Sequence, residues 1–241
     1  MNEGSYRRVD RALLLTFDDR HVREWAAVAP LFARYGARVT FFVCEPDRLD
    51  GDEARMLRRL ADDGHTIGCH GMRHERATDF VAAHGAGAYL DREVVPALES
   101  LRRLGFPARG FAYPCSARDE STDRLLLTLF ERLRGGVPAE RRADPSLADE
   151  LRVPAAELPS RRVLPGCSVD SGRGAVVFDD DLTGVEAALR RTSDEGGVTT
   201  LYAHGVADAQ ETNHITPARL EKLLALADDL SLPCVGFDEL P

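Results

Sequence analysis

The chain has 241 residues, of which 44% are hydrophobic and 29% are charged, and this balance excludes a largely disordered protein. The formal net charge of -9 argues against nucleic acid or an anionic membrane surface as a partner. No stretch approaches the ~20 apolar residues of a membrane-spanning helix. The N-terminus also lacks the apolar run of roughly 7–15 residues that a secretory signal needs, so we expect a cytoplasmic location.

Short apolar runs alternate with amphipathic segments along the whole chain. Continuous apolar runs are typical of parallel strands buried on both faces. The predicted strands cover 12–17, 38–44, 65–69, 110–114, 198–204 and 232–237. The predicted helices cover 21–36, 50–64, 89–105 and 216–230, with glycine closing the first three and Thr216-Pro217 opening the last. This alternation predicts one α/β domain over 1–241, either a barrel or an open sheet.

Two features of composition limit the alternatives. The segment 134–166 is rich in proline and arginine, and we expect loops there around a strand near Val163. The five cysteines are an odd number, widely spaced and without a CxxC motif, which argues against a disulfide framework and against a zinc site made of thiolates. We expect them to be small buried residues in a reducing compartment.

Ionisable side chains follow several of the predicted strands. Asp18 and Asp19 end the first strand, His70 and His74 follow the third, and His204 ends the strand 198–204. Because chemistry in parallel α/β folds collects at the carboxyl ends of the strands, we expect these groups to share one rim. Two histidines four residues apart, with a carboxylate from another strand, can bind one divalent cation. Such a cation would offset the repulsion between the adjacent aspartates and leave one of them free to act as a base.

The sequence resembles the polysaccharide-deacetylase, or NodB-like, family (carbohydrate esterase family four). "LLLTFDDR" is similar to the first family motif, usually TFDDG, and "RVTFFVC" to the strand that follows it. "DGHTIGCHGMRH" resembles the second motif, "GFAYPCS" a variant of the third, and "TLYAHG" the last. The resemblance extends over nearly the whole chain and implies a distorted (β/α) barrel of about seven strands.

The resemblance also implies a role for each matching residue. Asp18 matches the catalytic base and His204 the general acid. Asp19, His70 and His74 match the ligands of one divalent metal ion, with Zn²⁺ the first choice and Co²⁺, Ni²⁺ or Fe²⁺ as alternatives. A backbone N–H from the third motif would stabilise the oxyanion. The residues that can supply it or line the substrate site are Tyr113, Pro114 and Cys115.

The third motif departs from the family pattern. Ala112 and Ser116 stand where the family usually has Arg and Gly, and Arg20 stands where the first motif usually has Gly. The missing arginine normally supports the catalytic base. Arg20 is one candidate to replace it, and Arg161 or Arg162 from "PSRRV" is the other.

The fourth family motif, usually an Asp-Trp segment, is not recognisable. Asp170 is one candidate for the residue that orients His204, and Arg162 or its neighbour Arg161 is the competing candidate. Of the remaining histidines, His21 and His214 are predicted at the surface, although either can reach the rim.

The resemblance implies removal of an acyl group, usually N-acetyl, by a metal-dependent hydrolase. We expect a small-molecule or carbohydrate substrate inside the cell, namely an amino sugar, a sugar conjugate or a small metabolite. One alternative is a degenerate, non-catalytic domain that binds a ligand or a protein. The other is a related C–N hydrolase or esterase that acts on a non-sugar substrate.

Overall fold

The strands form one curved sheet around a buried core. The computed structural model describes residues 9–137, 150–171, 182–208 and 213–241. The strands of the main sheet are β1 (Arg11–Asp19), β2 (Thr40–Val43), β3 (Thr66–Cys69), β4 (Gly110–Ala112), β5 (Arg132–Arg134), β6 (Arg152–Val153), β7 (Val163–Leu164), β8 (Cys167–Ser168) and β9 (Gly197–Ala203). Their order is β6-β9-β1-β2-β3-β4-β5-β7, with β8 also paired to β9, and β6 runs antiparallel to β9 while the other pairs are parallel. The result is a nearly closed, distorted (β/α) barrel, which confirms the predicted fold.

Helices cover the outside of the sheet. They are α1 (Val22–Ala27), α2 (Ala29–Arg34), α3 (Gly51–Asp62), α4 (Ala77–His84), α5 (Ala86–Tyr89), α6 (Val95–Arg103), α7 (Glu120–Leu126), α8 (Thr183–Glu195) and α9 (Pro217–Asp229). Two short strands, β10 (Gly205–Val206) and β11 (His214–Ile215), form a separate parallel pair. No helix in these segments is long and apolar enough to cross a membrane.

The structure divides two of the predicted helices. The predicted helix 21–36 is split into α1 and α2 because Pro30 has no N–H to donate to the carbonyl of Ala26. The predicted helix 89–105 begins with a π-helical turn, Leu90–Val94, before α6.

The predicted strand 232–237 is wrong. Its one ladder contact is a single bridge between Cys234 and Leu13, and Phe237–Glu239 forms a 3₁₀ turn. The Leu13 N–H donates to the Pro233 carbonyl and the Val235 N–H donates to the Leu13 carbonyl, beside this bridge. The N–H of Phe237 donates to the side chain of Thr40 and not to a backbone carbonyl, and Pro233 has no N–H to donate. The segment therefore contacts β1 at one point without forming a strand.

Strand β5 was not predicted, whereas the strand near Val163 is confirmed as β7. In β5, Leu133 packs outward into the main core, while Arg132 and Arg134 are buried on the opposite face. The sequence does not predict β5, because two arginines among three residues are not typical of a buried strand. Residues 138–149 of the proline- and arginine-rich segment lie outside the described residues.

Alternation along the strands separates the interior of the barrel from the layer beneath the helices. In β1, Leu13, Leu15 and Phe17 belong to the large core that the helices cover. Ala12 and Leu14 belong to a smaller cluster inside the barrel. Because side chains alternate along a strand, Thr16 and Asp18 also face the interior. The other members of the interior cluster are Phe42, Ala112, Val153, Leu158, Leu164, Val198, Val235, Phe237 and Leu240.

Four of the five cysteines are buried, as the sequence predicts, and all five are free thiols. The prediction is wrong for Cys115, which is exposed because it lies in the turn after β4. Burial raises the pKa of Cys69 and of Cys234 to about 12, so these thiols stay protonated and unreactive.

Gly68 of β3 is required by the ring of Phe42 on the neighbouring strand. A Cβ at Gly68 would lie 2.4 Å from Phe42 Cδ1. We expect Gly68→Ala to lower the free energy of unfolding by about 1–3 kcal/mol, because the interior has no room for a methyl group. Gly87→Ala in α5 is the control, since nothing lies within 4 Å of the added Cβ. Urea unfolding of both variants measures the difference, and equal stabilities would contradict the tight contact.

Candidate active site

The carboxyl ends of β1, β2, β3 and β9 meet at one rim of the barrel. Asp18 and Asp19 are paired in register with Phe42 and Val43, at the end of β2. Phe17 is paired with Ala203, so His204 follows β9 beside the aspartates. His70 directly follows β3, and its backbone N–H donates to the carbonyl of Val43. The register of the sheet therefore brings the predicted residues together.

Asp19, His70 and His74 form one cluster of possible metal ligands. Asp19 Oδ1 lies 3.5 Å from His70 Nε2 and 3.2 Å from His74 Nε2. His70 Nδ1 donates to the carbonyl of Ala112 at 2.8 Å. Because a carbonyl can only accept, this bond places the ring proton on Nδ1 and leaves the lone pair of Nε2 directed at Asp19. Burial raises the pKa of Asp19, but when the two histidines are protonated their attraction outweighs burial and holds that pKa well below its ordinary value.

These three residues fit a divalent cation. Asp19 Oδ1 is buried and accepts no hydrogen bond from the described residues, which is costly for a carboxylate oxygen. Two ligands 2.0–2.1 Å from a tetrahedral ion lie about 3.3 Å apart, close to the two separations measured here. Two imidazole nitrogens and one carboxylate oxygen suit Zn²⁺, and also Co²⁺, Ni²⁺ or Fe²⁺.

Glu93 holds the loop that carries the two histidines, a role that no motif in the sequence indicated. Glu93 Oε2 accepts the backbone N–H groups of Met72 and Arg73, each at 3.0 Å. A Cβ at Gly71 would lie 2.9 Å from the same oxygen, and Gly71 also has a φ of +87°. Glycine is therefore needed beside His70 for this carboxylate to reach the loop.

Asp18 points away from Asp19 and into the barrel, where it meets Arg134. Arg134 Nη2 donates to Asp18 Oδ2, and the two side chains are only 1% and 4% exposed. The guanidinium also lies 4.4 Å from the ring centroid of Tyr202 and 5.8 Å from that of Phe42. Asp18 Oδ1 is buried and accepts no hydrogen bond within the described part of the chain. One carboxylate oxygen is thus held by a cation while the other is left for a reactant.

The cation beside Asp18 is therefore none of the three candidates that the sequence offered. Arg20 donates to the carbonyl of Arg48 and lies 3.8–3.9 Å from two glutamates. Arg161 pairs with Glu157. Arg162 donates to the carbonyls of Leu127, Phe130 and Glu131, after α7. The signal that could have found Arg134 is the period of two in Arg132-Leu133-Arg134.

Asp170 contacts His204, as one of the two alternatives proposed, and Arg161 and Arg162 do not. His204 Nδ1 lies 2.6 Å from Asp170 Oδ2, and the His204 backbone N–H donates to Asp170 Oδ1 at 3.1 Å. Ser168 Oγ also donates to Asp170 Oδ2. Burial lowers the pKa of His204, but Asp170, with Asp18 and Asp19 adding to it, outweighs burial and raises that pKa.

At the third-motif turn, the backbone faces the cleft and the Tyr113 ring does not. Tyr113 is buried and its hydroxyl donates to Asp123, so the ring points away from the reactants. The Tyr113 N–H donates to the carbonyl of Arg134, and Pro114 has no N–H. Of the three residues predicted here, Cys115 is therefore the one whose N–H can serve an oxyanion. Ser116 has a φ of +55°, which explains why the family usually has glycine at this position.

These groups line a cleft of about 230 Å³ at the rim. Its lining residues are Asp18, Asp19, His70, His74, Tyr113, Cys115, Ser116, Tyr202, His204 and Asn213. The cleft is smaller than the roughly 300–1,000 Å³ of ordinary small-molecule pockets. It is suited to a small group, such as an acyl group, attached to a larger molecule that stays outside.

Comparison with known proteins agrees with this architecture. The family model described as polysaccharide deacetylase matches residues 6–129. A search of curated protein sequences gave no significant match.

Solved structures resemble the chain over nearly its whole length. A chitin deacetylase from the fungal pathogen Colletotrichum lindemuthianum is 15% identical, with 93% of this chain and 87% of that chain covered and a TM-score of 0.57. A family 4 carbohydrate esterase from Streptomyces lividans is 14% identical, with 95% and 93% covered and a TM-score of 0.57. A mutant of a CE4 family pseudoenzyme with restored enzymatic activity is 12% identical, with 97% and 68% covered and a TM-score of 0.57. At these identities the likeness shows the fold alone.

Arg134→Gln should strongly destabilise the protein, because it leaves the Asp18 carboxylate buried without its cation. Breaking a buried ion pair by removing one partner costs about 3–5 kcal/mol. Arg20→Gln is the matched control and should change the free energy of unfolding by no more than about 0.5 kcal/mol. The double variant Asp18→Asn/Arg134→Gln should lose less than the sum of the single variants. Urea unfolding tests this, and equal effects of Arg20→Gln and Arg134→Gln would contradict the assignment.

Asp170→Asn should lower the pKa of His204 in the metal-free protein. The pKa of His204 is raised above its ordinary 6.5, so its contribution to stability is complete below pH 6.5. This contribution is lost as the pH rises through the raised pKa, and Asp170→Asn should remove the dependence.

Histidine NMR titration measures the pKa, and urea unfolding on either side of it measures the loss of stability. Ser168→Ala is the control, because it leaves the Asp170 carboxylate in place, and the pKa of His204 should stay raised. An unchanged pKa in Asp170→Asn would show that the aspartate does not govern the protonation of His204.

Proposed function

Because the chain belongs to the polysaccharide deacetylase family, we propose that it is a metal-dependent hydrolase that removes an acyl group, foremost N-acetyl, from an amino sugar or a related small conjugate. The observation that carries this proposal is the convergence of three units on one cleft of about 230 Å³. These units are Asp18 with its buried arginine, the Asp19-His70-His74 cluster, and His204 with its buried aspartate.

Asp19, His70 and His74 would hold one divalent cation, with Zn²⁺ as the first choice. When bound, such an ion makes water more acidic and polarises the carbonyl oxygen of an amide. The Nδ1–H bond from His70 to the Ala112 carbonyl keeps the histidine in the tautomer that ligation needs.

Asp18 is suited to take the proton from the attacking water. Its Oδ2 is fixed by Arg134, and its Oδ1 accepts no hydrogen bond from the residues described, so the reactant water can supply one. Arg134 keeps the carboxylate in place and compensates its burial. This is the support that the family obtains from the third-motif arginine, delivered here from β5.

His204 is suited to give a proton to the leaving nitrogen. The contact of its Nδ1 with Asp170 orients the ring and favours the charged form, which carries a second proton on Nε2. Water oxygen bonds to the carbonyl carbon, the C–N bond breaks, and the proton from His204 leaves with the amine. Asp18 holds the proton taken from water, which balances the reaction to a carboxylic acid and a free amine.

The N–H of Cys115 is suited to stabilise the negative charge on the carbonyl oxygen. Cys115 lies in the turn after β4 and lines the same cleft as Asp18 and His204. Its φ of +53° is unusual for a residue with a side chain, and such strain is found at functional turns. Tyr113 and Pro114 would then serve to position this turn.

Two finer parts of the proposal stay predictions. The cytoplasmic location, and with it an intracellular substrate, follows from the sequence alone. Whether the acyl group is carried by a sugar or by another molecule is decided by what lies outside the cleft. The missing third-motif arginine favours the non-catalytic alternative, and Arg134 beside Asp18 weakens that argument.

Acetate release by the zinc-loaded protein tests the proposal. The substrate panel contains N-acetylglucosamine oligomers, N-acetylated sugar nucleotides, simple acetamides and acetate esters. Asp18→Asn and His204→Gln should each lower the rate by about 10²–10⁴-fold, the usual contribution of general acid–base catalysis. His84→Asn, at the exposed end of α4, is the control and should keep the full rate.

Binding of sugar oligomers without any acyl release would favour the non-catalytic alternative. Release from acetamides or esters but from none of the sugars would favour the non-sugar hydrolase. Full activity in Asp18→Asn would contradict the assigned base.

A further inference from the structure

A second cluster of possible metal ligands lies beside the proposed active site. It consists of His21, which precedes α1, Glu24 within α1, and His214 in β11. Glu24 Oε2 lies 3.6 Å from His21 Nδ1 and 3.6 Å from His214 Nε2. The two imidazole rings meet edge to face, with centroids 5.2 Å apart. Three donor atoms from two separate elements thus converge on one point.

The separations in this cluster fit a bound ion better than direct hydrogen bonds. A nitrogen and an oxygen joined by a hydrogen bond lie 2.7–3.2 Å apart, and both distances here are longer. Ligands around one tetrahedral ion with 2.0–2.1 Å bonds are about 3.3 Å apart, so a small adjustment would accommodate the ion.

The backbone leaves room for this convergence. A Cβ at Gly205 would lie 2.4 Å from Glu24 Oε2 and 2.5 Å from His214 Nε2, so only glycine lets the two side chains approach each other across β10. Glu24 Oε2 also accepts the N–H of Val206 at 2.8 Å, which fixes the carboxylate and leaves its second lone pair for a ligand.

We propose that His21, Glu24 and His214 bind a second divalent cation, of the kind that favours imidazole and carboxylate ligands: Zn²⁺, Co²⁺ or Ni²⁺. Their side chains are 27%, 35% and 11% exposed, so the ion can enter and keep a water molecule as a further ligand. The ion fastens the start of α1 to the β10–β11 pair. It is a separate site from the cluster of Asp19, His70 and His74.

The two proposed metal sites are adjacent. His21 Nε2 lies 4.0 Å from Asp19 Oδ2, the oxygen on the far side of the carboxylate from His70 and His74. An imidazole that binds an ion through Nδ1 carries its proton on Nε2, so His21 would present an N–H to Asp19. At 4.0 Å this N–H is too far away for a direct hydrogen bond, so the two sites are electrostatic neighbours that share no ligand.

Counting bound zinc in variants of the full chain tests the proposal. The probe is Zn²⁺ alone, added to tag-free, metal-stripped protein at a buffered free concentration, with bound metal measured by elemental analysis after desalting. The wild type and the control His84→Asn should bind two equivalents. Glu24→Gln and His21→Asn should each bind one, and His70→Asn should also bind one.

Stability gives a second readout that does not depend on activity. Zinc should raise the melting temperature of His70→Asn, because the second site remains and binding to the folded state stabilises it. Zinc should not raise the melting temperature of His70→Asn/Glu24→Gln. The Gln side chain keeps an oxygen that can accept the Val206 N–H, and circular dichroism confirms that each variant is folded.

The proposal is overturned if the wild type binds a single equivalent that His70→Asn removes, or if Glu24→Gln and His21→Asn still bind two. It fails independently of the deacetylase proposal, which depends on acyl release and on Asp18 and His204.

Discussion

The buried contact between Asp18 and Arg134 is the interaction on which the arrangement of the site depends. Two opposite charges are removed from water inside the barrel, and neither is tolerated there without the other. Arg134 reaches Asp18 because β1 and β5 both send every second side chain inward. With Asp18 committed to the interior, the next carboxylate must turn the other way. The adjacent side chains of Asp18 and Asp19 therefore lie in different surroundings. Arg134 on one side and the two imidazoles on the other offset the repulsion between the carboxylates.

Backbone strain is concentrated around the same cleft. Asp19, His74, Cys115 and Ser116 all have φ between +53° and +80°, a region that residues with a Cβ rarely adopt. Each such conformation costs of order 1–3 kcal/mol and persists only where its surroundings enforce it. At Asp19 the enforcing contact is the sheet itself, since the Cys44 N–H donates to the Asp19 carbonyl. The sheet therefore stabilises the backbone conformation that directs the Asp19 carboxylate toward the two histidines.

The features that could be predicted from the sequence are those that repeat or lie close together along the chain. Continuous apolar runs identified β1, β2, β3, β4 and β9, and strand ends identified the residues at the rim. The short motif around His70 and His74 identified the ligand cluster. Asp170 was one of two alternatives, because the family resemblance implies a residue that orients His204 and the fourth motif itself is not recognisable.

Arg134 escaped prediction because its environment is made by distant segments. A three-residue strand with two arginines becomes recognisable once Asp18, Tyr202 and Phe42 are known to surround it. The partnership spans more than a hundred residues, so the period of two in Arg132-Leu133-Arg134 can indicate a strand but not the partner of Arg134. Glu93 was missed for the same reason, since its carboxylate serves a loop twenty residues earlier. The wrong prediction at 232–237 shows the converse, because an apolar run can contact a sheet at a single bridge without forming a strand.

The interior cluster of the barrel determines the route by which a molecule can reach the site. Beneath Asp18 the barrel is filled by Leu14, Phe42, Phe237 and Leu240, all buried, so these described residues block a passage along its axis. A molecule that meets Asp18 therefore arrives at the carboxyl rim. Under the proposed hydrolysis, the substrate would enter and both products would leave through this one opening, so release of the products would have to precede the next binding.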